Sequence, residues 1–204
     1  MKAHPTRELP PDYVPFWQFD LSKVRELFWL NFFGLVLLFA SLIGFGFMVY
    51  HLRVADFPIQ FTYHREPPLK MLLFLVELFV VTGIMVVVHE AFHGIFFWII
   101  TRTRPVFAFK LYYASASAPG WYIPRGPYFV TALAPLVGIT ALCVLGIAFL
   151  PAWWITPLYL MLIFNTSGAV GDIWVVLRLL FSPRETLICD GGASITFYKP
   201  EFLK

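Results

Sequence analysis

Apolar and polar residues fall into long blocks along this chain. Phe28–Tyr50, Met71–Ile100, Tyr128–Leu150 and Ala152–Phe181 are each apolar over most of their length. A helix needs about 20 such residues to cross the hydrocarbon core of a bilayer, so the pattern predicts four membrane-spanning helices. The first and third blocks carry no charge. The second contains Glu77, His89, Glu90 and His93, and the fourth contains Asn165, Asp172 and Arg178. The expected fold is therefore an all-α membrane protein with two clean spans and two that carry polar groups.

The connecting stretches read differently. Pro5, Pro10, Pro11 and Pro15 predict an irregular N-terminal segment, since proline fixes φ and lacks a donor. Phe16, Trp17 and Phe19 then read as an interfacial aromatic cluster, and Asp20 and Ser22 as caps of a short helix entering the membrane. Val106–Pro127 alternates weakly and contains Ala114-Ser-Ala-Ser-Ala-Pro-Gly, which suggests a short hairpin or re-entrant segment on the cytoplasmic side. Asp190-Gly-Gly predicts a turn, and Ala193–Tyr198 has strand propensity.

Composition agrees with the blocks. The 204 residues are 59% apolar, 19% aromatic and 13% charged, against roughly 25% charged residues in an ordinary soluble domain. Too few polar side chains remain to cover a water-facing surface, which excludes a soluble monomer. A net charge of +3 without a basic stripe argues against nucleic acid as a partner. The lipid bilayer is the expected environment. Of the 15 Lys and Arg residues, 12 lie in the termini and second connection and three (Arg53, Arg65 and Lys70) in the first. Positive loops stay inside, so the expectation is a multi-pass protein of the cell membrane with both termini cytoplasmic. Cys143 in an apolar run and Cys189 near the C-terminus do not suggest a disulfide or a metal pair.

The chemistry concentrates in His89-Glu-Ala-Phe-His93. On a helix, residues four apart project from one face, so the two histidines can hold one metal ion. Glu90 stands about 100° around the axis and can act on a water at that metal. Imidazole ligands with room for a third ligand and water suit zinc. Asp172 is the preferred third ligand, because it shares a helix face with Asn165. It also lies nine residues before the inner end of its block, against seven to eleven for the histidines. That places both groups about 10–17 Å below one surface at ~1.5 Å per residue. Asp190 is the rival, with a turn role as its simpler account. Glu77 is too far along the helix to join the same ion, so a buried polar contact is expected for it. His4, His51 and His64 are expected in solvent, and Arg178 is expected to snorkel.

The motif His89-Glu-Ala-Phe-His93, the stretch Ala132-Leu-Ala-Pro135-Leu and Asn165-Thr-Ser-Gly-Ala-Val-Gly-Asp172 together resemble the membrane-embedded zinc metalloproteases of the site-2 protease type. They are most similar to the bacterial family labelled putative zincin peptidases. The resemblance implies Glu90 as general base, His89, His93 and Asp172 as zinc ligands, and Asn165 as a substrate-binding residue. It also implies an intramembrane endopeptidase acting on a membrane protein or peptide. Residues 1–27 then form a cytoplasmic and interfacial segment, 28–181 a single transmembrane metallopeptidase domain, and 182–204 a cytoplasmic tail. The alternative is an inactive, metal-binding scaffold or chaperone, against which the retention of Glu90 argues.

Overall fold

The computed structural model describes residues 4–56, 68–110 and 113–203. His64 and Arg65, named above, and the terminal Lys2 and Lys204 counted among the basic residues lie outside the described residues. Three long helices follow the first three apolar blocks: α1 (Val24–Leu52), α2 (Pro68–Thr101) and α3 (Arg125–Phe149). At about 1.5 Å per residue, their 29, 34 and 25 residues give lengths of about 44, 51 and 38 Å. Each exceeds the ~30 Å hydrocarbon core. The fourth block divides into α4 (Ile155–Gly168) and α5 (Val170–Leu180), which meet at a 48° bend. The three long helices are apolar enough to cross a membrane, and the bent pair makes a fourth such element if counted as one span. Ile43 (73%), Phe79 (76%) and Phe149 (82%) stand exposed on the helices, a surface suited to lipid and costly in water.

The expectation of an all-α fold is corrected by the structure. About 64% of the described residues are helical, but 17% lie in antiparallel strands that form two sheets. The larger sheet has the order β1-β6-β5-β4, built from β1 (Tyr13–Asp20), β4 (Tyr122–Pro124), β5 (Leu187–Asp190) and β6 (Ser194–Pro200). The smaller is a hairpin of β2 (Val106–Phe109) and β3 (Ala114–Ser117). Pro15 did not prevent β1 from forming, because β1 is an edge strand and its register shifts between Pro15 and Trp17. Edges and bulges are where a strand tolerates a residue with no N–H.

The same sheet changes the reading of the aromatic cluster. Phe16 and Trp17 pack edge-on against the fully buried Phe197 of β6, at 6.2 and 4.6 Å between ring centroids. They form part of a sheet core. Arg178 of α5 places its guanidinium 5.6 and 5.8 Å from those two rings. Such contacts contribute about 0.5–1 kcal/mol where exposed and tie α5 to β1. No short helix follows Asp20. Its carboxylate accepts the Ser22 N–H at 2.9 Å, and Glu26 accepts the Asp20 N–H at 2.5 Å. The chain therefore passes from β1 into α1 with three residues between them.

The helices pack in a chain of neighbours. α1 lies on α4 and α5, α2 on α3 and α4, and α3 on α4 and α5. Small residues permit the close approaches expected of helices in lipid: Phe92 of α2 sits directly over Gly138 of α3. At the far end of α1, Arg53 donates to the Ile147 and Leu150 carbonyls of α3, both at 2.8 Å, and to Asp56 at 2.5 Å. One apolar cluster (including Phe97, Tyr128, Leu179 and Phe197) lies toward the sheet, and a second (including Val49, Ile139, Ile147 and Leu162) lies toward the other end. On α4–α5, Asn165 and Asp172 fall between these two clusters.

Candidate metal centre

His89, Glu90 and His93 lie on α2 and are each 8% exposed. Asp172 reaches them from the first turn of α5. The bend that brings it there falls at Ala169, between Gly168 and Gly171, where weak helix formers and Ser167 allow the backbone to depart from helical ψ. One Asp172 oxygen lies 3.0 Å from His89 Nε2 and the other 3.3 Å from His93 Nε2. A ligand atom from each of these three residues lies within 4.8 Å of the others, the group of potential metal ligands found among the described residues.

The other ring nitrogens settle which atoms face the metal position. His93 Nδ1 lies 3.0 Å from the Thr131 backbone oxygen. A carbonyl can only accept, so Nδ1 carries a proton, and Nε2 is the nitrogen turned toward the metal position. Thr131 is four residues before Pro135 on α3, and proline has no N–H to fill that carbonyl in the helical pattern. Pro135 thereby frees the acceptor that orients His93. His89 Nδ1 lies 3.0 Å from Asn165 Oδ1, and Asn165 Nδ2 faces the Pro135 and Leu136 carbonyls at 3.4 Å each. Those carbonyls fix the amide's orientation, so its oxygen accepts from His89. Both histidines thus turn Nε2 toward the Asp172 carboxylate, and each Nε2 can ligate a metal ion that takes the place of its proton. Two imidazoles and one carboxylate, with each ring held by an outer partner, form a donor set that fits zinc.

Glu90 is not among the converging ligand atoms. Its carboxylate interacts with both histidines and Asp172, and it faces the backbone amide of Ala116 on β3. All four residues border a cavity of about 660 Å³. Asn31 and Leu35 of α1, Met85 of α2 and Ala114 of β3 form part of its walls.

The remaining polar residues are placed as follows. Asn165 is 0% exposed and its side chain is committed to His89 and α3. Asp190 stands apart from the ligand group: one oxygen accepts the Tyr128 hydroxyl at 2.6 Å and the other the Gly192 N–H at 2.8 Å. Burial, the largest influence, holds its carboxyl above the ordinary range. Glu77 is half-buried and has no polar partner among the described residues, so the expected polar contact is not made. His4 and His51 are exposed, and the ring of His51 rests against Phe47. Cys143 and Cys189 are both free. Thr131 and Tyr128 were not singled out from the sequence. Only Pro135, four residues beyond Thr131, signalled the freed carbonyl.

Residues 82–187 match a protein family described as "Putative zincin peptidase". The match covers more than half of the chain and runs from α2 through α5. The chain belongs to this family. Neither the curated proteins nor the solved structures gave a match. Membership in the zincin peptidase family suggests zinc-dependent peptidase activity and implies zinc as the cofactor. His89, His93 and Asp172 would be the zincin ligands, within the matched span.

Proposed function

We propose that this zincin-family protein is an intramembrane endopeptidase of the site-2 protease type, cleaving peptide bonds of a membrane protein or peptide in or near the bilayer. The observation that carries this reading is the convergence of His89 Nε2, His93 Nε2 and Asp172 between helices long enough to cross a membrane. His89, His93 and Asp172 would hold the zinc, which when bound would supply Lewis-acid chemistry toward a scissile carbonyl and a water. Glu90, beside the ligands but outside the ligand set, takes the water's proton and returns it to the leaving amine. Asn165 and Thr131 keep the imidazoles in the tautomer that ligates. The apolar walls of the cavity exclude bulk water.

The cavity lies between α1 and α2 and is floored by α4 and α5, so a peptide reaches Glu90 through it. There β3 contributes Ala114, Ser115 and Ala116 and is paired along one edge, with β2. An unwound substrate segment adds to β3 as a strand, which exposes peptide bonds that a helix would shield. We place the protein in the cell membrane with both termini cytoplasmic. The 12-to-three distribution of Lys and Arg supports this orientation, as does the pairing of β1 with β6, which keeps the two ends of the chain on one side.

The test uses the full chain in proteoliposomes with a single-spanning, dye-labelled peptide as probe and plasma mass spectrometry for zinc. One zinc per chain and cleavage lost in Glu90→Gln are expected. Zinc binding without cleavage would favour an inactive scaffold. An absence of zinc after zinc addition would sink the metal centre.

A further inference from the structure

The Asp190-Gly-Gly turn joins β5 to β6, and the proposed chemistry assigns it nothing. It nevertheless meets three walls of the cavity. Asp190 accepts the hydroxyl of Tyr128 on α3 at 2.6 Å. The Ala193 carbonyl accepts the N–H of Leu21, at the entrance to α1, at 3.0 Å. Gly192 lies against the hairpin: a Cβ there would stand 2.9 Å from Ser115 Oγ and 3.3 Å from Ser117 Oγ. Its φ of +85° is in the left-handed region, which a residue with a side chain disfavours. Between those two serines is Ala116, whose amide meets Glu90. The connection therefore runs from α3 through Tyr128, Asp190 and Gly192 to β3, and from β3 to Glu90.

We infer that Tyr128, Asp190 and Gly192 are positioning residues, which brace the hairpin so that the Ala116 amide holds Glu90 beside the metal ligands. The geometry of the turn carries the inference. Asp190 has both oxygens committed, one to α3 and one to the turn itself. The turn can approach the serines closely only because residue 192 lacks a side chain. The role in positioning a base rests on the peptidase reading, while the brace itself does not.

Two readouts on the full-length, detergent-purified chain separate the possibilities. Hydrogen–deuterium exchange of the peptide covering Tyr113–Ser117 reports the hairpin, and zinc content reports the ligands. Gly192→Ala and Tyr128→Phe are expected to raise hairpin exchange at least tenfold, keep one zinc per chain, and lower kcat on the single-spanning peptide by about 10- to 100-fold. Adding Ser115→Gly to Gly192→Ala removes the colliding hydroxyl and is expected to recover a large part of both losses. A role confined to general stability predicts that exchange rises throughout the chain and not selectively in this peptide. Wild-type exchange in both single variants overturns the brace. Loss of zinc in Asp190→Asn overturns it as well, because Asp190 would then be a ligand. Exchange is read on resting protein, so a wild type that cleaves nothing overturns the peptidase reading alone.

Discussion

Replacing Asn165 by leucine separates two roles for this residue. The resemblance to site-2 proteases implies that it binds substrate, whereas its geometry makes it the outer partner of His89. Asn165 is fully buried, its oxygen lies 3.0 Å from His89 Nδ1, and its amide is spent on two carbonyls at 3.4 Å. Leucine keeps the branching and number of heavy atoms but is bulkier, so it leaves no cavity and adds some overpacking. The His89 N–H is left without an acceptor, at a cost of about 1–3 kcal/mol. Outer partners of metal-bound histidines typically account for about 10- to 100-fold in affinity, or about 1.4–2.7 kcal/mol. Asn165→Leu is therefore expected to weaken zinc binding by that factor in a competition titration against a chromophoric chelator. Asn165→Asp keeps an acceptor and is expected to bind zinc close to wild type. Unchanged zinc affinity in Asn165→Leu, with a tenfold rise in KM for the single-spanning peptide, would refute the positioning argument in favour of direct substrate contact.

Other outcomes follow from the same geometry. Pro135→Ala restores an N–H that competes for the Thr131 carbonyl, so zinc binding is expected to weaken by about threefold to tenfold, in the range of a lost outer partner; the same titration checks it. Glu90→Gln should retain one zinc per chain by mass spectrometry while losing cleavage, whereas Asp172→Ala should lose the zinc. Gly138→Ala forces a Cβ into the ring of Phe92 and is expected to cost about 1–3 kcal/mol, seen as a lower melting temperature in detergent.

The helices were legible because apolar blocks long enough to cross a bilayer have few alternatives, and Phe28–Tyr50 lies wholly within α1. Of the larger sheet, β6 was legible from the strand propensity of Ala193–Tyr198, but its pairing with β1 was not. β1 and β6 sit at opposite ends of the sequence, and Pro15 argues locally against a strand that the partner β6 nevertheless stabilises. Ala114–Ser117 was suggested by its small residues, but its position against α2 depends on the turn at Gly192, almost 80 residues later. At the site, the i, i+4 histidines were visible from spacing, and Asp172 from its matching depth in another helix. The backbone acceptor of His93 was hidden because a carbonyl has no sequence identity. The link from Asn165 to His89 was hidden because it joins two helices 76 residues apart.

The two attachments of α1 bear on how the cavity can open. At one end the helix continues from a strand held in the β1–β6 ladder, and at the other Arg53 holds two carbonyls of α3. Hydrogen bonds to a charged group contribute about 1.5–3 kcal/mol each, so swinging α1 outward means breaking a clamp at whichever end moves. The stretch of α2 from Pro68 to Val80 is exposed except for Glu77 and Leu78, which are half-buried. In mechanical terms α1 is a gatepost fixed at top and bottom, and the outer half of α2 is the leaf that can turn.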